Sequence, residues 1–496
     1  MGGRQICVLG FGESVVVVVV ALPSVDFSRP SSSARVRGIT KNVAFAPQPN
    51  KNIDPIESFI PYRIDWRNVV LTDAGNRKKR PGYVQKWDIG IDKPIHLLIP
   101  YGNGYAVTDT SKLYELTATP TDRSGTGLGG TKRPIWTLHD TMPIICDGGV
   151  PAKIATTLTT LGGSPPTGAT HVDVLGPYTI MCGYHATEFK WSASNNPENW
   201  TTGDSGFANV KKDGTIKAFM VNAEKAVFFK DQSSEIWYNR GGATPFVRIE
   251  YVERGIGATY SLVLCNGVFY WLGDDYRFYR HEGVTPVLIS SPYEKYIQSI
   301  PDPSQIYGLH FAKEHLIKWV SPLDGKTLVY DYRHNTWSED NRWEFGQWAR
   351  LPINSYMEIG NKQYFGSYNL DGIVYEWNED YLDDAGQPMR LYENFVVRAS
   401  SEEGYLSRYN KVQYRLKRGV ATPSIPHPAF MTRYRLDGGP WSPETTIDMG
   451  IVGDYDAYVD QYNMGMGRDI EFEIAITDSV EFILTDMNLT ARSMGR

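Results

Sequence analysis

Cysteine is scarce in this chain of 496 residues: Cys7, Cys146, Cys182 and Cys265 lie far apart, without CxxC or Cys/His spacing. That pattern excludes a disulfide framework, argues against a zinc site, and fits folding in a reducing compartment with each thiol a small buried apolar residue. An excess of one charge is also lacking, since the net charge is -6 and the longest basic run is Arg77-Lys78-Lys79-Arg80. A general grip on nucleic-acid phosphates needs more positive charge, so any DNA contact is expected to be loose and the basic run to be a solvated loop. Long apolar runs are missing too. Arg4 precedes a stretch ending in Val15 to Val20, Ala21 and Leu22, but Gly10, Gly12 and Glu13 interrupt it. The unbroken part, about 8 residues, is short for a signal-peptide core and far below a membrane span. Six consecutive valines favour a strand, expected to be buried against a sheet or a neighbouring subunit.

Catalytic signatures are equally sparse. There is no Walker loop, nucleophile elbow or HExxH, and Gly10-Phe11-Gly12 leads into valines rather than a helix. The acidic pairs Asp274-Asp275, Asp383-Asp384 and Glu402-Glu403 are adjacent residues, which on a strand face opposite ways; turn chemistry explains them better than a glycosidase pair. Asp454, Asp456 and Asp460 lack the glycine and terminal Glu of a calcium loop, and the spacing of His310 and His315 is not that of a helical ligand pair. Asp437-Gly438-Gly439-Pro440-Trp441 resembles the Asp-box turn of sialidase-type propellers, one residue short, and such a turn is a folding element. The expectation is no catalytic, cofactor-binding or metal residues, no cofactor, and no enzyme.

What is abundant is 31 Tyr, 19 Phe and 13 Trp beside 47 Gly and 30 Pro, the composition of short aromatic strands separated by many turns. Six segments repeat one plan of apolar strand, polar turn and aromatic strand: Tyr105 to Leu116, Tyr178 to Trp191, Ala226 to Tyr238, Val268 to Arg280, Leu316 to Tyr332 and Gln363 to Trp377. Asp324-Gly325, Asp371-Gly372 and Gly273-Asp274-Asp275 suit hairpin turns. The markers Phe189, Trp237, Tyr279, Tyr330 and Tyr375 recur every 42 to 51 residues or so, a propeller-blade period. The first gap, from Tyr114, is about 75 residues and contains Thr119 to Gly130 and Leu161 to Ala169, expected to be inserted loops.

Residues 23 to about 60 are rich in Pro, Ser and Asn and suit an extended arm that reaches a neighbouring subunit. The last hundred residues alternate apolar and polar over Val412 to Leu416, Thr432 to Leu436, Ile470 to Ile476 and Val480 to Leu484, with Ile470, Phe472, Ile474 and Ile476 on one face. The reading is an all-β chain: an N-terminal β segment and arm (1–60), a six- or seven-bladed β-propeller (61–390) and a C-terminal β-sandwich (391–496).

Between Gly214 and Ser290 an ordered set of features is more specific. Glu235-Ile236-Trp237-Tyr238, Pro245-Phe246, Glu253-Arg254-Gly255, Trp271-Leu272-Gly273, then Arg280, Gly283 and Ser290 resemble the tail hub, or packaged-DNA-stabilisation, proteins of short-tailed bacteriophages. Arg80-Pro81-Gly82-Tyr83 resembles that family's early turn, and Trp191 to Trp200 its blade-end loop. Asp437-Gly438-Gly439, Trp441-Ser442 and Met466-Gly467-Arg468 resemble its last domain, so the likeness runs from about residue 60 to the end. The first 50 residues depart from it.

The resemblance implies a hexameric tail ring (hub or nozzle) below the portal and adaptor, continuing the DNA channel, retaining packaged DNA and supporting its ejection. It implies fibres or spikes outside, a needle or plug below, transient DNA passage and a virion location after synthesis in the host cytoplasm, without a membrane span. The alternatives are a carbohydrate-binding or glycan-degrading tail propeller, which needs two opposed carboxylates, and a cellular interaction scaffold.

Overall fold

The computed structural model describes residues 39–42 and 62–495, apart from 109–111, 202–203, 209–213, 243, 282–284, 399–405 and 455–457. Cys7, the valine run, most of the arm, Gly283, Glu402-Glu403 and Asp456 lie outside the described residues.

Among the described residues the chain is nearly all-β, with one short α-helix (Glu294–Gln298), and forms seven blades. Six are separate four-stranded antiparallel sheets, and the seventh four-strand unit lies within a larger sheet. Their innermost strands, in chain order, are β1 (Ile95–Ile99), β2 (Ile135–His139), β3 (His171–Leu175), β4 (Ala218–Asn222), β5 (Val263–Cys265), β6 (Tyr307–Phe311) and β7 (Ile353–Ile359). Each of the six hairpins expected from the sequence supplies the second and third strands of a blade. Leu316–Ser321 pairs with Lys326–Asp331 around Gly325, whose φ of 69° only a residue free of a Cβ clash adopts easily.

The second blade, which the aromatic markers do not reveal, fills the long first gap. Ile135–His139, Met142–Cys146, Ala152–Ile154 and Leu158–Thr160 form a blade between the two loops. Aromatic markers missed it because its third strand carries Ile154 where the six recognised hairpins carry Tyr, Phe or Trp.

Packing closes the ring. Phe189 of the third blade stacks on Phe228 of the fourth at 4.3 Å, Phe229 meets Trp271 of the fifth at 5.2 Å, and Phe278 meets Trp319 of the sixth at 4.1 Å. Tyr364 and Val374 of the last blade share a core with Ile95 and Leu98 of the first. The last blade takes its outer strand, Gly82–Asp88, from the N-terminal side, paired with Ile373–Asn378. Gly82 is needed there, because a Cβ would sit 2.2 Å from the Asp383 carbonyl oxygen.

The sandwich is built from both ends of the chain. Tyr62–Arg67 pairs with Leu391–Arg398, which continues to Asp469–Ile476, Ala429–Leu436 and Thr445–Asp448. Through Arg67 opposite Glu339, this sheet joins the outer strand of the sixth blade, Thr336–Glu344. The facing sheet orders Val69–Leu71, Arg77–Lys79, Ile483–Gly495, Leu406–Leu416 and Tyr458–Gly467, with Ile39–Asn42 also along Ile483–Gly495. Residues 62–79 therefore belong to the sandwich, and the propeller begins at Gly82 rather than at 61. Ile470, Phe472, Ile474 and Ile476 all face the core as their alternation requires. Val480 and Phe482 are buried, but the last strand starts at Ile483.

Candidate functional site

The basic run is not a solvated loop. Arg77 to Lys79 form a strand, and Arg77, Lys79 and Arg80 are buried. The Arg80 guanidinium makes two bonds to the Asp384 carboxylate, at 2.9 and 2.7 Å, and donates to Asn68 Oδ1 at 2.8 Å and to the Asn341 carbonyl at 3.2 Å. Burial disfavours its charge, but Asp384 and Asp340 outweigh that and leave its pKa above the ordinary value. Lys318, also buried, donates to Asp340 at 2.6 Å and lies 3.9 Å from the Trp377 ring centre. Asp384 is thus more than turn chemistry, whereas Asp383 does cap a turn by accepting from the Gly386 amide. This charged cluster ties propeller to sandwich; losing one partner of such a pair costs about 3–5 kcal/mol because the other is left buried and uncompensated.

The residues that carry the family resemblance are joints of the blades. Lys230 and Glu235 form a buried ion pair at 2.8 Å. Arg254 reaches Asp274 at 3.1 Å and lies 4.8 Å from the Tyr279 ring centre. Trp271 donates to the Gly255 carbonyl at 2.9 Å, and a Cβ on Gly255 would come within 2.4 Å of the Asp231 carbonyl oxygen. Ser290 Oγ accepts from the Phe278 amide at 2.9 Å. Each contact fixes a neighbouring strand or turn.

Other singled-out residues are similarly placed. Asp437, at φ 49°, accepts from the Arg468 and Asp469 amides at 2.7 and 2.9 Å, while Arg433 and Arg435 lie over Trp441. Asp275 accepts from the Tyr279 hydroxyl at 2.7 Å. Asp454 pairs with Arg418 at 2.5 Å and Asp460 with Lys411 at 2.7 Å, so both carboxylates have cationic partners. His310 and His315 share Tyr332, whose hydroxyl lies 3.2 and 3.4 Å from them. Cys146, Cys182 and Cys265 are buried free thiols.

Two kinds of surface are left. One is exposed and apolar: Tyr458, Tyr462 and Met466 on the edge strand Tyr458–Gly467, Leu406 on the adjoining strand, and Phe345 at a hairpin tip. The other is the propeller axis, where a small pocket between the innermost strands adjoins a cavity of about 690 Å³. That cavity collects residues from well-separated parts of the chain, among them Lys132, Arg133, Tyr260, Tyr307 and Arg350. Sequence reasoning missed it because no short motif contains two of its blades.

No protein-family model and no curated protein matches the chain. Among solved structures, it is similar to YCF48 from Cyanidioschyzon merolae at 10% identity, over 60% of this chain and 98% of that one, with a TM-score of 0.39. It is similar to the Pan2 WD40 domain of Neurospora crassa at 9% identity, over 62% and 97%, TM-score 0.38. It is also similar to the WD40 domain of Toxoplasma gondii coronin at 11% identity, over 60% and 84%, TM-score 0.35.

Proposed function

We propose that this chain is a structural, non-enzymatic subunit of a short phage tail, a hub or nozzle ring that continues the DNA channel below portal and adaptor. The observation that carries the reading is the outer sheet of the sandwich. It ends in the ten-residue strand Tyr458–Gly467, paired on one side only among the described residues, with Tyr458, Tyr462 and Met466 exposed. A long exposed edge strand that carries aromatic and apolar side chains is what isolated soluble proteins blunt and assemblies cover. The mild net charge of -6 suits a ring past which DNA slides without sticking. Ring interfaces each burying well above about 1,000 Å² are expected, with adaptor above and fibres, spikes or a needle outside or below.

Electron microscopy of purified virions labelled with an antibody to the C-terminal sandwich tests this. Label at the tail vertex, symmetric about its axis, is the expected result. A protein missing from the particle sinks the reading.

A further inference from the structure

The cavity on the propeller axis holds cations that the fold does not neutralise. Arg133 leaves the loop before β2 and reaches past the first blade to the last, where it donates to the Asn354 side-chain oxygen at 3.0 Å and to the Asn354 carbonyl. Its guanidinium lies 4.0 Å from the Tyr307 ring centre. Arg350 donates to the hydroxyl of the same tyrosine at 2.9 Å and stacks on Tyr368 at 3.7 Å. Among the described residues no carboxylate lies within ion-pair distance of either arginine. Burial, with Arg350 adding repulsion, lowers the Arg133 pKa, although a guanidinium stays charged at any working pH.

Among the described residues the neighbouring charges are engaged elsewhere or exposed at the rim. Lys132 is exposed at the rim. Lys217 is already paired with Asp231 at 2.7 Å. Asp147 is the carboxylate lining the cavity, and its two oxygens accept from the Gly130 and Gly149 amides at 2.9 Å each, which fixes it as a turn element.

Two guanidiniums on one tyrosine, one over its ring and one at its hydroxyl, neither with a paired carboxylate, leave positive charge that an entering anion would offset. The guanidinium fork matches carboxylate and phosphate oxygens. At about 690 Å³ the cavity is in the range of small-molecule sites. Tyr260 adds an aromatic ring to the lining, and Ser304 and Gln305 add hydrogen-bonding groups.

From this we infer that the axial pocket is a binding site for a small organic oxyanion, held between Arg133 and Arg350. The shared chemistry is a carboxylate or a phosphate monoester on a polar body, such as an acidic or phosphorylated sugar. The site is independent of the tail reading and stands if that reading fails.

The test is calorimetric titration of the full chain with inorganic phosphate, with glucuronate and with glucose, at matched ionic strength. Arg133→Gln and Arg350→Gln are each expected to weaken anion binding about ten- to a hundredfold, the loss of one charge-assisted hydrogen-bonded group. Arg133→Lys, which keeps the charge without the fork, should fall between, and circular dichroism of each variant monitors folding. Binding of phosphate alone assigns a phosphorylated ligand, binding of glucuronate alone an acidic sugar, and binding of both the shared oxyanion. Binding of neither, equal binding of glucose, or binding unchanged in the two glutamine variants overturns the inference.

Discussion

At the residue scale, burial matters more than charge. His171, in the strand lining the axis, is 3% exposed; burial pushes its pKa down to about 4, against about 6.5 for a free imidazole. In the unfolded chain it takes up a proton below about pH 6.5, whereas in the folded protein it does so only near pH 4. Its contribution is therefore fully present above pH 6.5 or so and is lost as pH falls toward 4, on the order of 3 kcal/mol in all. Urea denaturation at pH 7 and pH 5 should show lower stability at pH 5, and His171→Gln should reduce the difference. An equal difference in the variant would mean that other groups carry it. Such residues show what sequence could tell. Ile470, Phe472, Ile474 and Ile476 were legible because strand alternation is local. Arg80 was not, because its partner Asp384 lies about 300 residues away, and a run of four basic residues looks the same whether it ends in water or in a buried ion pair.

At the element scale, turn chemistry explains why six blades were visible and one was not. Asp-Gly turns and aromatic strand ends announced the hairpins, whereas the second blade has short strands, Pro143 within one of them and a turn through Asp140 at φ 52°. The axial pocket was illegible for a related reason: its lining is gathered from several blades that are far apart in sequence. Among the turns that place a bulky residue at positive φ, one is fully exposed. Thr336–Glu344 and Gln347–Arg350 are joined by Phe345 and Gly346, at φ 48° and 78°, and Phe345 is fully exposed. A phenylalanine in the left-handed region costs about 1–2 kcal/mol and here gains no contact in return. Phe345→Asn should raise the stability of the isolated chain by about 1 kcal/mol, read as a higher urea midpoint. A lower midpoint would show that the ring packs against something. If the tail reading holds, the same variant should assemble less well.

At the scale of the whole molecule, propeller and sandwich are not independent beads. Trp66 and Val69 belong to the sandwich core, and Trp66 donates to Glu393 at 2.7 Å. A fragment of residues 391–496 lacks both, along with the strands around them, and should remain loosely packed, without near-ultraviolet dichroism or dispersed amide resonances. Supplying residues 62–79 on a second polypeptide should restore both signals. A fragment that folds unaided would show that the N-terminal strands decorate the sandwich rather than complete it.

The same interleaving sets an order in time. Tyr62 pairs with Val396, Gly82 with Asn378 and Arg77 with Leu484, so these strands are made long before their distant partners. At roughly 5 to 20 residues per second, the wait is about 15 to 80 seconds. During synthesis the nascent propeller is an open arc whose final blade lacks a strand until the earliest residues return to it. Every newly made copy therefore passes through a stage in which the strands Tyr62–Arg67 and Gly82–Asp88 lack their partners, a stage that chaperone capacity, rather than final stability, would govern.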